Sequence, residues 1–147
     1  MEKLVIVPTY NELENIEELL TRVLGLPYDL HILIVDDNSP DGTANVVKEW
    51  QKKTDRVHLL QRPGKMGLGS AYRDGFRYAL ANGAEYIFEM DADFSHDPDA
   101  LGKFLENIGD VDIVLGSRYL HGVTVVNWPL SRLILSYTAN LYTRIIT

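Results

Sequence analysis

Short apolar runs alternate along this chain with longer segments of helical period, and this alternation limits the fold more than any other feature. Most of the runs are apolar throughout, which is typical of parallel strands buried on both faces. The segments between them repeat apolar residues every three or four positions, as amphipathic helices do. The pattern predicts an α/β sandwich with a mostly parallel sheet. The predicted strands are Leu4–Val7, His31–Val35, Val57–Leu60, Tyr86–Met90 and Asp112–Leu115.

Capping and stop signals bound the predicted helices. Asn11 and Glu14 resemble a capping box at the start of the first helix, and Gly25 ends it. The other helices are predicted at Thr43–Lys53, before Asn82-Gly83, after Pro98 and from about Pro129 onward. Because the last helix has no stop signal before Thr147, we expect a single domain, 1–147, that is shortened at its C-terminus.

Polar clusters follow four of the predicted strands. In open α/β sheets, ligands bind beyond the carboxyl ends of the strands. Four such loops at one edge of one sheet therefore predict a single pocket. The clusters are Pro8–Glu12, Asp36–Thr43, Asp91–Pro98 and Gly116–Tyr119.

Asp91 and Asp93 follow the fourth strand two residues apart. Carboxylates this close repel each other, and a divalent cation that prefers oxygen ligands relieves the repulsion. Mg²⁺ or Mn²⁺ held there can also bridge a diphosphate and neutralise a leaving group. The alternative is that Asp91 merely ends the strand and Asp93 caps the next helix. The neighbouring loops favour the metal site.

The loops after the first two strands offer further polar contacts. Asp36-Asp37 is followed by residues of the types that favour turns, Asn, Ser, Pro, Asp and Gly. We therefore expect residues 38–43 to form a turn and Asp37 to point at a ligand. Tyr10 and Glu12 are placed to stack on and hydrogen-bond a nucleobase, although Glu12 also suits the first turn of a helix.

The glycine-rich segment Lys65–Ser70 looks like a phosphate loop at a helix N-terminus. It fits neither the dinucleotide fingerprint, because Tyr72 takes the place of the third glycine, nor a Walker A loop, because its lysine precedes the glycines. A plain glycine-rich turn is an equally good interpretation.

Charge is distributed unevenly along the chain. All 21 acidic residues lie at or before Asp112. Among Lys, Arg, Asp and Glu, the remaining apolar stretch contains only Arg118, Arg132 and Arg144. Arg132 and Ser136 share a helical face, and guanidinium groups suit phosphate recognition. The longest uncharged run there is too short to span a bilayer of about 30 Å.

Composition excludes some classes of site. The chain has no cysteine, so disulfides, thiol catalysis and zinc–thiolate sites are impossible. Because no positively charged, apolar leader precedes Leu4 in this sequence, we expect no secretory signal, and we expect no nucleic-acid partner.

Five ordered motifs, VPTYNE, IVDDNSPDGT, KMGLGSAYRDG, MDADFSHDP and GSRY, together resemble family 2 glycosyltransferases of the GT-A fold. The resemblance is strongest to the polyprenol-phosphate mannosyltransferases, including the dolichol-phosphate mannose synthases. It implies a three-layer sandwich and transfer of mannose, with inversion, from GDP-mannose to a polyprenyl phosphate at a membrane surface. It also implies a cytoplasmic enzyme associated with the cytosolic face.

The resemblance also assigns residues. It implies Asp93 and Ser95 as ligands of Mg²⁺ or Mn²⁺, Asp93 and Arg118 as catalytic residues, and Arg118, Arg132 and Ser136 as the site of the acceptor phosphate. The positions that it implies for the nucleotide sugar are Pro8, Tyr10, Glu12, Val35, Asp37, Asp91, Ala92, Asp93 and Arg118.

Three other functions compete with this interpretation. The first is a prenyl-phosphate glycosyltransferase that uses a UDP-sugar. The second is a haloacid-dehalogenase-like phosphatase with Asp91 as nucleophile, although that fold places its motif after the first strand. The third is a nucleotide-sugar-binding module without catalysis.

Overall fold

The computed structural model describes residues 1–116 and 130–146, apart from the side chains of residues 132, 133 and 144. These residues fall into two compact units, 1–111 and 112–147. The first unit contains four strands and four helices, and α5 lies in the second. The elements are β1 (Lys3–Thr9), α1 (Leu13–Gly25), β2 (Leu30–Asp36), α2 (Thr43–Gln51), β3 (Val57–Gln61), α3 (Leu68–Ala81), β4 (Tyr86–Glu89), α4 (Ala100–Asn107) and α5 (Leu130–Ile146).

The four strands form one parallel sheet in the order β3-β2-β1-β4. Alternate residues of β1 and β2 face opposite sides, and both sides are fully buried. Val5 and Ile32 pack in the cluster that contains the buried residues of α1, α2 and α4, whereas Ile6 and Leu33 pack with those of α3. Helices thus cover both faces of the sheet, which confirms the predicted three-layer α/β sandwich.

The strand register brings the carboxyl ends of the strands to one edge. Thr9 at the end of β1 pairs with Asp36, and Asp36 pairs with Gln61 at the end of β3. The loops after these strands therefore start side by side, as the sequence predicts.

The predicted fifth strand at 112–115 is not formed. Ile113 and Leu115 are exposed, and residues 113–116 have no regular secondary structure. An apolar run becomes a strand only when a neighbouring strand pairs with its backbone, and no described strand pairs with this one.

In the second unit, α5 spans 17 residues. None of the helices in the described parts of the chain is long and apolar enough to cross a membrane. The chain forms two compact units, and its organisation as a single domain stays a prediction.

Gly75 marks the closest approach of α3 to the sheet. A Cβ atom at this position would lie 2.6 Å from Cγ2 of Ile6, whereas a Cβ at Gly69 in the same helix meets nothing within 4 Å. We expect Gly75→Ala to lower the free energy of unfolding by about 1–3 kcal/mol, because Ile6 lies in a close-packed cluster. Gly69→Ala, the matched control, should be neutral or stabilising. Urea denaturation of both variants tests this, and equal stabilities would contradict it.

His31 and His58 form a stacked pair on the α3 face of β2 and β3. Their rings lie 5.3 Å apart between centroids, with His31 Nδ1 3.0 Å from His58 Nε2. Burial lowers the pKa of both, and the proximity of His31 lowers the pKa of His58 further, against the opposing charges of Asp29 and Asp55.

The lowered pKa values predict a pH-dependent stability. Below a pH of about 6.5 the unfolded chain binds more protons at these two histidines than the folded chain does. The contribution of the pair should therefore be complete above that pH and decrease as the pH falls. Urea denaturation between about pH 7.5 and 5.5 should show a shallower pH dependence in a His31→Gln/His58→Gln double variant than in the wild type. An unchanged dependence would contradict the prediction.

Candidate functional site

A cleft of about 300 Å³ lies at the carboxyl edge of the sheet, in the first unit. Loops after β1, β2 and β4 contribute to it, together with the segment that leads into α3. Its lining residues are Pro8, Thr9, Tyr10, Glu12, Asp37, Lys65, Gly67, Leu68, Ala71, Asp91, Ala92 and Asp93.

The loop after β2 holds the loop after β1 in place. Ser39 Oγ accepts the backbone N–H of Asn11, and Thr43 Oγ1 accepts that of Glu12, both at 3.0 Å. Asp41 Oδ2 accepts the N–H of Leu13, the first residue of α1, at 2.9 Å. These long-range bonds fix the backbone from Asn11 to Leu13, directly after Tyr10 and around Glu12, and the side chains of Tyr10 and Glu12 line the cleft.

The predicted capping box is therefore wrong. Asn11 has a left-handed backbone (φ 61°), and α1 has no local side-chain cap. The N–H groups of Glu12 and Leu13, at the start of α1, are bonded instead by Thr43 and Asp41, about 30 residues later in the chain. Burial opposes ionisation of Asp41, but hydrogen bonds from Thr43 and Leu13 outweigh it and lower the pKa of this carboxyl group.

Asp36 and Asp37 have different roles. Asp36 is fully buried, and its carboxylate accepts hydrogen bonds from the Thr9 hydroxyl and from the backbone and hydroxyl of Ser39. It therefore stabilises the turn that follows β2. Asp37 lines the cleft, as predicted.

The Asp37 carboxylate is also engaged inside the protein. Its Oδ1 accepts a hydrogen bond from Arg62 Nε, and its Oδ2 accepts the backbone N–H of Met66 at 2.9 Å. Each carboxylate oxygen can accept more than one hydrogen bond, so these contacts still allow Asp37 to meet a ligand.

Lys65 and Tyr10 contact each other in the wall of the cleft. The Lys65 Nζ atom lies 4.4 Å from the centroid of the Tyr10 ring, a cation–π contact. Among the described lining residues, Lys65 is the only basic one. It thus supplies positive charge beside the aromatic ring that the sequence predicts to stack on a base.

The environment of Asp93 favours its ionised form. A hydrogen bond from Ser95 lowers its pKa despite the opposing effect of partial burial, and the Ser95 N–H lies 2.9 Å from Asp93 Oδ1. Phe94, between them, has a left-handed backbone (φ 57°), rare for a bulky residue, and its ring packs against the core. The packing of Phe94 thus anchors the loop next to Asp93.

Asp91 is oriented by two neighbours. Its Oδ1 accepts a hydrogen bond from the Tyr72 hydroxyl at 3.1 Å, and its backbone N–H donates to His96 Nδ1 at 3.2 Å. Burial, together with the charge of Asp91, raises the pKa of Tyr72, so the phenol stays a hydrogen-bond donor. Both carboxylates thus sit at the cleft with their orientation set by the protein.

This donor set fits a divalent cation that is shared with a phosphorylated ligand. No cluster of three or more histidine or carboxylate side chains suited to a metal occurs in residues 1–116 and 130–146. Mg²⁺ sites that serve phosphates commonly use one or two carboxylates, with water and phosphate oxygens as the remaining ligands. Asp93, which lines the cleft together with Asp91, is placed to supply such a carboxylate.

The structure places most predicted donor-site residues together. Val35 is the exception in β2, because its side chain is fully buried in the cluster on the α3 face and does not line the cleft. Ser95 lies beside the cleft and contacts Asp93 through its backbone. Ser136 lies in α5, in the second unit. Arg118 and the Arg132 side chain lie outside the described residues.

Sequence reasoning missed Arg62 and the role of Tyr72. Arg62 directly follows β3, so the rule that ligands bind beyond strand ends would have pointed to it. Tyr72 lies in α3, and no spacing rule connects it to Asp91.

Comparison with known proteins gives the family. The profile of glycosyl transferase family 2 matches residues 4–146. The chain is 48% identical over 143 residues to the polyprenol monophosphomannose synthase of Mycolicibacterium smegmatis, covering 96% of this chain and 54% of that protein. It is 43% identical over 145 residues to the undecaprenyl-phosphate mannosyltransferase of Micrococcus luteus, covering 99% of this chain and 60% of that protein.

A third relative is the dolichol-phosphate mannosyltransferase of Pyrococcus furiosus, at 41% identity over 150 residues, covering 99% of this chain and 41% of that protein. The chain thus spans about half the length of the curated relatives it matches.

A solved structure supports the same fold. S. aureus TarS 1-349 in complex with UDP-GlcNAc matches with a TM-score of 0.54 and 27% identity, over 63% of this chain and 27% of that one. The predicted GT-A fold is confirmed by this likeness and by the parallel sheet. With a family match over nearly its whole length, the chain belongs to glycosyl transferase family 2.

Proposed function

We propose that this chain is the donor-binding part of a glycosyltransferase that moves mannose from GDP-mannose to a polyprenyl phosphate, with inversion. The observation that carries the proposal is the placement of Asp91 and Asp93 in the same cleft as Tyr10 and Glu12. The mannosyltransferase names of the relatives support the choice of sugar and acceptor.

The donor would bind with its base near Tyr10 and its diphosphate near Asp93. The Tyr10 ring offers an apolar face for stacking, and Glu12 and Asp37 offer acceptors for the N–H groups of guanine or the hydroxyls of ribose. Asp91, held by Tyr72, would orient the sugar. Asp93 and Ser95 would hold Mg²⁺ or Mn²⁺, which when bound neutralises charge on the leaving diphosphate.

The acceptor would itself be the nucleophile. A phosphate monoester has a second pKa of about 6, so it is largely dianionic at neutral pH and needs no general base. One of its oxygens attacks the anomeric carbon from the face opposite the diphosphate. The new carbon–oxygen bond forms as the bond to the diphosphate breaks, and GDP departs with the electron pair. Catalysis then rests on positioning and electrostatics.

The acceptor side of the proposal rests on sequence. Arg118, Arg132 and Ser136 would hold the acceptor phosphate, and Arg118 would also contact the donor. Because the acceptor is a lipid, the enzyme would work at a membrane surface, on its cytosolic face.

The test is transfer by the natural full-length protein. Vesicles that contain polyprenyl phosphate are incubated with labelled GDP-mannose or UDP-glucose, with Mn²⁺ or with a chelator. We expect metal-dependent formation of lipid-linked mannose with an inverted anomeric centre. Transfer from UDP-glucose instead would leave the mechanism in place and overturn the donor assignment. Binding of donor with no transfer would identify a binding module and overturn the proposed activity.

The phosphatase alternative is disfavoured by membership of the glycosyltransferase family. The UDP-sugar alternative keeps one point of support, since a solved structure of the same fold contains UDP-GlcNAc. The transfer assay, which compares GDP-mannose with UDP-glucose, decides between the two donors directly.

A further inference from the structure

Arg62 is the most deeply buried basic side chain among the described residues of the first unit, and it lies immediately behind the cleft. Its side chain is only 4% exposed, and its backbone N–H donates to Asp36 O at 2.8 Å. Arginine is almost never buried in this way without several partners. The identity of those partners therefore indicates what the residue does.

The guanidinium group joins three separate segments. Its Nε and Nη2 atoms contact Asp37 at the end of β2, and its Nη2 also donates to Gly67 O at 3.2 Å. Its Nη1 contacts Ser70 Oγ at 2.8 Å and Asp74 Oδ2 at 3.2 Å, both in α3. One planar group thus ties the strand end, the glycine-rich segment and the first turns of α3 together.

The Arg62 contacts are reinforced through Asp37. The second oxygen of Asp37 accepts the N–H of Met66, so the ion pair also fixes the backbone next to Lys65. Ser70 Oγ in turn contacts the carbonyl oxygens of Met66 and Gly67. The segment 65–67 is therefore held by contacts from Asp37, Arg62 and Ser70.

The same segment forms a wall of the cleft. Lys65 and Gly67 line it, and Lys65 places its charge over Tyr10. The other ionisable lining side chains include Glu12, Asp91 and Asp93, which are acidic. Binding of an anionic nucleoside diphosphate therefore depends on where this segment holds its lysine.

We propose that Arg62 is a positioning residue for nucleoside-diphosphate binding, which acts by holding Asp37 and the segment 65–67 against the cleft without touching the ligand. The inference rests on the proposed function, since it assumes that the cleft takes the diphosphate donor. It goes further by assigning to Arg62 the placement of Lys65 and Asp37.

The test compares Arg62→Lys with Arg56→Lys. Lysine keeps the charge but lacks the planar guanidinium group, so it cannot contact all four partners of Arg62 at once. These partners are Asp37, Gly67, Ser70 and Asp74. Arg56 is the matched control, because it is a half-buried arginine whose Nη2 donates to Leu24 O, and it does not line the cleft. The dissociation constant of GDP with Mn²⁺ is measured by calorimetry on the full chain, at a temperature where circular dichroism shows every variant folded.

We expect Arg62→Lys to weaken GDP binding about tenfold or more, and Arg56→Lys by less than about twofold. Hydrogen exchange at the Met66 amide gives a second readout, because a general loss of stability would expose the amides of β1 as well. Arg62→Lys should lose protection at Met66 while the amides of β1 stay protected. Ser70→Ala removes a single partner and should weaken GDP binding about threefold, which keeps the proposal testable if Arg62→Lys fails to fold.

Three results would overturn the proposal. Unchanged GDP affinity in Arg62→Lys overturns it while leaving the proposed function intact. Equal losses in Arg62→Lys and Arg56→Lys would show a general effect on stability. Failure of the wild-type chain to bind GDP at all would overturn the donor assignment and this inference together.

Discussion

Asp93→Asn is expected to abolish the part of GDP-mannose binding that depends on Mn²⁺. The lowered pKa of Asp93 means that it is ionised at neutral pH, and the amide removes that charge while keeping the shape of the side chain. Removing a residue that merely supports a metal ligand typically costs 10- to 100-fold in metal affinity, so loss of a ligand should cost at least about 100-fold. Calorimetric titration with and without Mn²⁺ measures this directly.

Asp97→Asn is the matched control for this result. Asp97 belongs to the same polar loop, but its carboxylate is exposed and pairs with Arg22 instead of lining the cleft. Its substitution should leave the Mn²⁺ effect unchanged. If Asp93→Asn retains the full Mn²⁺ effect, the metal assignment is wrong.

Asp37→Ala is expected to cause a large loss of stability, about 3–5 kcal/mol. The substitution leaves the buried Arg62 guanidinium without its main counter-charge, and breaking a buried ion pair from one side typically costs this much. Asp74 remains as a second partner at 3.2 Å but is more exposed. Since natural domains are stable by only about 5–15 kcal/mol, urea denaturation should show a clear decrease.

Asp99→Ala provides the comparison for Asp37→Ala. Asp99 also pairs with an arginine, Arg22, at 3.3 Å, but both side chains are exposed. Surface pairs contribute about 0–1 kcal/mol. Similar losses in the two variants would contradict the structural role assigned to the buried pair.

The sheet could be predicted from sequence because its signals are local. Continuous apolar runs such as β1 and β2 indicate strands buried on both faces, and the structure buries them fully. The run at 112–115 carries the same local signal but has no pairing partner among the described strands. Strand formation depends on a neighbour as well as on propensity, and a single segment does not reveal its neighbour.

The sequence predicted the residues of the candidate site that directly follow the end of a strand. Asp91, Asp93 and Tyr10 all follow that rule and lie in the cleft. The supporting contacts were not predictable, because they join positions far apart in sequence. Asp41 caps α1 from the next loop, and Arg62 pairs with Asp37 across 25 residues. No spacing rule relates such residues, so only the folded structure identifies them.

If this cleft binds a nucleotide sugar together with a divalent cation, as proposed, the chain should bind its donor only when the metal is present. The most direct measurement is calorimetric titration of the chain with GDP-mannose and with UDP-glucose, each with and without Mn²⁺. We expect Mn²⁺-dependent binding of GDP-mannose and weaker or no binding of UDP-glucose. Tight binding of GDP-mannose that is indifferent to Mn²⁺, or a preference for UDP-glucose, would contradict it.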